Sequence, residues 1–313
     1  MTFPPAQGAR MPWEAVPEEV RTAVEEGVCA RVIDSHSQPG GFSPGAAARL
    51  RLEDGRRVFV KAAGTSPNPE TPEFHRREGR IAAALPPGAP APRLLLTHDD
   101  GDWVALVFED VDGREPTLPW REDELERVLA AVADLSAALT PAPLAAPPLA
   151  ERFGEQFRGW RTFVAEGAAV AESWAANRVD LLAGLEAQWA EASVGETLLH
   201  ADIRADNILL AEQRVVFVDW PHACVGAPWV DLLAMLPSVA MQGGPKPWTV
   251  FGGHPLARGA PPELVDAVLA AVAGFFVQRA TLPPPPGLPT LREFQRAQGV
   301  EALAWLRRRL GEP

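Results

Sequence analysis

Two patterns of apolar and polar residues divide the chain. In the first, short apolar runs are separated by turn residues, and 28–35, 46–52, 57–62, 93–98 and 103–109 read as strands. Glu53-Asp54-Gly55 makes a tight hairpin turn between the second and third. Two helices interleave with them. One covers 17–27, with Pro17 in its first turn and Gly27 at its end; the other covers 70–85 and stops at Pro86-Pro87-Gly88. After Gly113 the second pattern begins. Apolar residues recur at helical spacing over 122–139, 149–166, 179–190, 261–280 and 290–310. A strand-like region, 197–218, interrupts these helices. The predicted fold class is α+β, with a β-rich front part and a mostly helical back part joined near 109–114.

Composition narrows the class. At about 150 residues per domain, 313 residues suggest two lobes, and 47% hydrophobic residues suffice for a sizeable core. A net charge of −12 argues against a nucleic-acid or anionic-membrane partner, since both favour a basic face. Cys29 and Cys224 form no Cys-x-x-Cys pair, so free thiols in a reducing compartment are expected. The start, Met1-Thr2-Phe3-Pro4-Pro5, does not read as a leader, and the longest apolar stretch, 264–277, is too short for a bilayer and contains Asp266. These readings predict a cytoplasmic protein with no nucleic-acid or membrane partner and no obligate protein partner evident.

The chemistry concentrates between 198 and 219. An apolar run leads into His200-Ala201-Asp202-Ile203-Arg204-Ala205-Asp206-Asn207, another follows, and Val215-Val216-Phe217-Val218 ends in Asp219. Loops between buried strands hold polar groups rigidly. Phosphoryl transfer needs a carboxylate near the attacking hydroxyl and oxygen ligands for magnesium. Asp202 fits the first role; Asn207 and Asp219 fit the second. Taken singly, each residue is also an ordinary turn former; the spaced set carries the reading. His200 is read as a packed brace of the loop.

This arrangement resembles the aminoglycoside phosphotransferase (APH) family, whose catalytic domain is similar to that of protein kinases. His200, Asp202 and Asn207 match its His-x-Asp-x-x-x-x-Asn motif, and Asp219 matches its metal-binding aspartate. The resemblance implies a bilobal protein-kinase-like fold, with a nucleotide-binding N-lobe over 1–110 and a C-lobe over 111–313 holding the catalytic loop and the acceptor. It implies ATP or GTP as donor, Mg2+, and a hydroxyl of a small antibiotic or metabolite as acceptor.

Further expectations follow from it. Lys61, in Val58-Phe59-Val60-Lys61, resembles the strand lysine that contacts nucleotide phosphates. It is one of only two lysines, which weakens its reading as a surface residue. Its expected partner is Glu78, with Glu73 as competitor. Gly41, Phe42 and Ser43 lie in a glycine-rich loop that would cover the phosphates. Phe108, Glu109 and Val111 fall where the lobes join and would meet the purine. Asp231 matches a family aspartate that braces the catalytic loop, although a carboxylate also suits a helix N-terminus.

Three alternatives compete with this reading. Gly41-Phe42-Ser43-Pro44-Gly45 fits a hydrolase elbow in outline, but Pro44 lacks the N–H that the oxyanion needs. A protein kinase needs a long activation segment, and only residues 220–230 separate Asp219 from Asp231. A non-catalytic nucleotide-binding kinase homologue, acting as sensor or partner, is disfavoured by the complete set of polar residues. For the acceptor, residues 232–300 hold Lys246, Arg258, Arg279, Arg292 and Arg296 against Glu263, Asp266 and Glu293, a net +2. Trp248, Phe251, Phe275, Phe276 and Phe294 lie among them. The acceptor is thus expected to be less cationic than an aminoglycoside and to carry an apolar or aromatic part, unless Glu151, Glu155 or Glu301 converge on the site.

Overall fold

The computed structural model describes residues 3–311; Met1 and Thr2, where a leader would start, and Glu312 and Pro313 lie outside the described residues. Its front part is a six-stranded sheet made of β1 (Arg10–Met11), β2 (Val32–Ser37), β3 (Gly45–Leu52), β4 (Arg57–Ala63), β5 (Leu94–Asp99) and β6 (Val104–Glu109). The main order is β1-β3-β4-β6-β5, and β2 also pairs with β3. Most pairs are antiparallel, but β1 joins β3 in parallel, with Arg10 opposite Gly45.

Side chains alternate across the sheet. Leu50, Val58, Val60 and Val107 face α1 (Glu18–Val28), where Val20, Val24 and Val28 meet them. Phe59, Leu106 and Phe108 face the other way, towards Ala82 of α2 (Thr71–Ala84). Lys61 shares the α2 face by the same alternation and pairs across the ladder with Leu106. A Cβ on Gly79 would lie 2.9 Å from Leu106, so the missing side chain lets α2 approach beside Lys61.

The back part has one large core. Small strands β7 (Gly113–Arg114), β8 (Thr197–Leu199), β9 (Ile208–Ala211), β10 (Val215–Phe217) and β11 (Cys224–Gly226) form a three-stranded and a two-stranded sheet. Around them lie α3 (Glu122–Ala138), α4 (Leu149–Phe153), α5 (Gly159–Glu166), α6 (Ser173–Ala176), α7 (Val179–Glu186) and α8 (Trp189–Ala192). They are followed by α9 (Val230–Met241), α10 (Pro247–Gly253), α11 (Pro262–Arg279) and α12 (Leu291–Arg309). Among the described residues no helix is long and apolar enough to cross a membrane.

Several expected boundaries move. The helix expected over 149–166 is two helices, α4 and α5. A Cβ on Gly159 would come within 2.0 Å of the Gly274 carbonyl oxygen, so α5 crosses α11 almost backbone to backbone. The stretch 179–190 likewise divides into α7 and the start of α8. Helix α1 runs past Gly27 to Val28, and Cys29 takes the left-handed cap conformation (φ 56°). Gly27 serves packing instead: a Cβ there would sit 2.4 Å from Leu96. The first long strand consequently starts at Val32. Both cysteines are free, Cys29 exposed and Cys224 buried.

Candidate active site

Strand β10 ends beside the turn carrying Asp219, whose φ of 71° is left-handed, a conformation that aspartate tolerates better than most residues. The turn aims its carboxylate at the front sheet. Lys61 Nζ donates to Asp219 Oδ1 at 3.0 Å and to both Glu78 oxygens at 2.7 and 2.9 Å. One lysine from β4 thus ties α2 to the strand-end aspartate. Glu73, the competing partner, is exposed and pairs with Arg80. Burial opposes charge on Asp219, but Lys61, helped by Arg204, outweighs it and holds the carboxyl well below its usual range. Burial pushes Glu78 the other way, upward, against the pull of Lys61.

The loop between β8 and β9 is fixed from below. Asp231, in the first turn of α9, accepts from the backbone N–H groups of His200 and Ala201, each at 2.8 Å. These bonds hold Ala201 at φ 61°. His200 is fully buried. Its Nε2 donates to the Val218 carbonyl at 2.9 Å and its Nδ1 accepts from Asp202 N at 3.2 Å. That pair of bonds requires the neutral tautomer, in keeping with burial lowering its pKa. Both ring nitrogens are occupied, so His200 braces two loops at once.

Asn207 Nδ2 donates to the Asp202 carbonyl at 2.9 Å and to Asp202 Oδ2 at 3.2 Å. Among the described residues its amide oxygen accepts no hydrogen bond. Val218 N donates to the Asn207 carbonyl at 3.0 Å, which sets the Asn207 turn beside the strand leading to Asp219. Arg204, two residues beyond Asp202, bonds Asp202 Oδ1 through Nη1 and grips Asp206 through Nε (3.1 Å) and Nη2 (2.8 Å).

Two cavities meet at this loop. The first is lined by Lys61, Glu78, Asn207 and Asp219, by Gly41 and Ser43 of the glycine-rich loop, and by Phe108, Glu109 and Val111 at the end of β6. Phe42 turns away from it. Its ring meets Phe294 at 5.0 Å and lines the second cavity, which is about 420 Å³ and also bounded by Asp202 and Asp219. Of the residues expected near the acceptor, Arg279, Arg292, Phe275, Phe276 and Phe294 line this cavity. Glu151, Glu155 and Glu301 are not on its wall; Glu155 pairs with Arg158 and Glu301 with Lys246. Trp248 and Phe251 are not on it either, the latter packing against Trp305.

Sequence reasoning missed two cations. Arg204 stood inside the motif, and its place between Asp202 and Asp206 was the available signal. Arg10 gave none, because only the parallel pairing of β1 with β3 brings it in. Its guanidinium bonds the carbonyls of Gly40 and Ser43, its Nε is buried without a partner, and it lines the first cavity. Burial lowers its pKa, while Asp219 and Asp206 act in the opposite sense.

The phosphotransferase enzyme family model matches residues 40–251, most of the chain and all of this loop. The chain belongs to that family. No curated protein matches it. Solved structures with the same fold include a thermostable mutant of aminoglycoside phosphotransferase APH(4)-Ia in ternary complex with AMP-PNP and hygromycin B. It is 16% identical, with a TM-score of 0.59 over 93% of this chain and 98% of that one. A choline/ethanolamine kinase family protein from Mesorhizobium loti is 18% identical, with a TM-score of 0.58 and 95% of each chain covered. Macrolide 2'-phosphotransferase type I is 16% identical, with a TM-score of 0.54 over 93% of this chain and 98% of that one. Family membership makes this chain a phosphotransferase; Arg10, α11 and α12 lie outside the matched segment.

Proposed function

We propose that this protein is a small-molecule kinase that transfers the γ-phosphate of ATP or GTP to a hydroxyl of a small acceptor. The observation that carries the reading is the meeting of the two cavities. Lys61, Asn207 and Asp219 face the first, while Asp202 lines the second within reach of Asn207. A donor in one and an acceptor in the other would bring phosphoryl group and hydroxyl together at Asp202. The AMP-PNP and hygromycin B of the related complex support a nucleotide and a small acceptor bound together.

In this reading residues 1–110 form the nucleotide lobe and 111–313 the catalytic and acceptor lobe. Lys61, held between Glu78 and Asp219, steadies the phosphates, with the glycine-rich loop and Arg10 beside it. The backbone around Glu109 and Val111 receives the purine. Asp219 and Asn207 suit magnesium, which takes oxygen ligands, few of them from protein, and leaves room for phosphates. When bound, magnesium would neutralise charge on the transferring group. Asp202 orients the acceptor hydroxyl and takes its proton. Free cysteines fit a reducing cytoplasm.

Calorimetry with a non-hydrolysable ATP or GTP analogue tests the donor half. The expected result is binding that strengthens with magnesium in the native protein and loses that dependence in Asp219→Ala. Equal magnesium dependence in both proteins would remove Asp219 from the metal site.

A further inference from the structure

The acceptor cavity is built from unlike walls. Helix α11 presents Val272, Phe275, Phe276 and Arg279, at helical spacing, so one stripe is apolar and ends in a guanidinium. The start of α12 adds Arg292 and Phe294. Seven phenylalanines line the cavity in all.

Its charges separate into two groups. Near the reaction site, Asp202 and Asp206 already hold Arg204, and Lys61 holds Glu78 and Asp219. His222 lies against Phe74 and Phe153, and burial lowers its pKa and that of His75, so neither adds positive charge at neutral pH. What remains is Glu70, exposed at the start of α2, and the two arginines where α11 ends and α12 begins. Arg292 donates through Nε to the Pro283 carbonyl at 3.1 Å and through Nη1 to Gln295 Oε1 at 2.8 Å. Arg279 stacks over Phe275, 5.8 Å from the ring centre. Among the described residues neither is paired with a carboxylate. Burial lowers the pKa of Arg292, and the like charge of Arg279 adds to that lowering.

Two guanidiniums held together without an acid repel each other, and an anion between them relieves that repulsion. Arginine pairs suit carboxylates geometrically. We infer that the acceptor carries, besides its hydroxyl, an apolar or aromatic body and a carboxylate that Arg279 and Arg292 bind. This inference rests on the kinase reading. The two arginines lie on α11 and α12, outside the segment that the family model matches.

The test uses the native protein with Mg2+ and ATP or GTP. The probes are hydroxymethyl-aryl compounds of one or two rings, each made as a carboxylate, a carboxamide and an ammonium. ADP or GDP release gives kcat/KM. The carboxylates should exceed the carboxamides by about 10- to 100-fold, the scale of charge-assisted hydrogen bonds, and the ammonium compounds should be poorest. Arg279→Glu should invert the order in favour of the ammonium series, a gain that misfolding cannot produce. Arg292→Gln should shrink the carboxylate-to-carboxamide ratio. Equal or better turnover of carboxamides or ammonium compounds by the native protein overturns the inference. So does an unchanged order in Arg279→Glu, or no stimulation by any probe while calorimetry still shows magnesium-nucleotide binding. Absence of that binding overturns the kinase reading itself, so the two failures are distinguishable.

Discussion

At the scale of single residues, the site depends on side chains that hold one another in place. Lys61 is held by two carboxylates, Asp202 by Asn207 and Arg204, and the loop beneath by Asp231. Asp202, Asn207 and Asp219 were legible because they share one short segment with fixed spacing. The choice of Glu78 over Glu73 was legible because Glu78 leads into the apolar half of its helix. Arg10 was not, because its relation to Gly40 and Ser43 exists only after β1 has paired with β3. The first prediction concerns this residue. Arg10→Ala should raise KM for the nucleotide about 10-fold or more, the order expected for losing one hydrogen bond to a charged group, with a smaller effect on KM for the acceptor. Steady-state kinetics with each substrate varied in turn checks this; an unchanged nucleotide KM would leave Arg10 as a brace of the glycine-rich loop.

Elements come next, and here glycines set the distances. Gly79 brings α2 down onto Leu106, and Gly159 brings α5 onto the backbone of α11 at Gly274. Trp160 Nε1 then reaches the Ala270 carbonyl at 2.8 Å. An added methyl at Gly159 meets backbone, which cannot turn aside as a flexible side chain can. Gly159→Ala is therefore expected to cost about 1–3 kcal/mol or more, in the range for overpacking, measured by urea unfolding. An unaltered midpoint would mean that the two helices can separate freely. The periodicity showed most of the long helices and missed α9 and α10. Almost every residue from Val230 to Ala240 is buried, and Pro237 stands inside the helix. A helix buried all round has no polar stripe to reveal its period, and an internal proline reads as a stop. The short strands β1, β7 and β11 were equally hidden, since their pairing is long-range and their runs hold only two or three residues.

For the whole molecule, buried histidines give a pH dependence. His75 of α2 is buried on the wall shared by the two cavities, and burial, with Lys61 nearby, lowers its pKa to about 3. His200 and His222 are lowered too, burial again being the main cause. Unfolding restores the ordinary value near 6.5. The folded chain then binds fewer protons than the unfolded chain between these limits, so stability is present above pH 6.5 and is lost as pH falls. His75 alone should contribute a slope of up to about 1.4 kcal/mol per pH unit between roughly pH 6 and pH 3. Urea unfolding at several pH values should show a shallower acid loss for His75→Gln than for the native protein. Equal slopes would mean that His75 takes up a proton while folded.

The bilobal arrangement, the segment from His200 to Asn207 and the partnership of Lys61 with Glu78 all converge on Asp202, at the junction of the two cavities. The most direct test is therefore nucleoside diphosphate release with Mg2+ and a broad panel of hydroxylated small molecules, run on the native protein and on Asp202→Ala side by side. The expected result is stimulation of the native protein by at least one class of acceptor and a loss of about 10²- to 10⁴-fold in rate for Asp202→Ala, the usual contribution of a general base, with magnesium-nucleotide binding retained. Full turnover by Asp202→Ala would contradict the account.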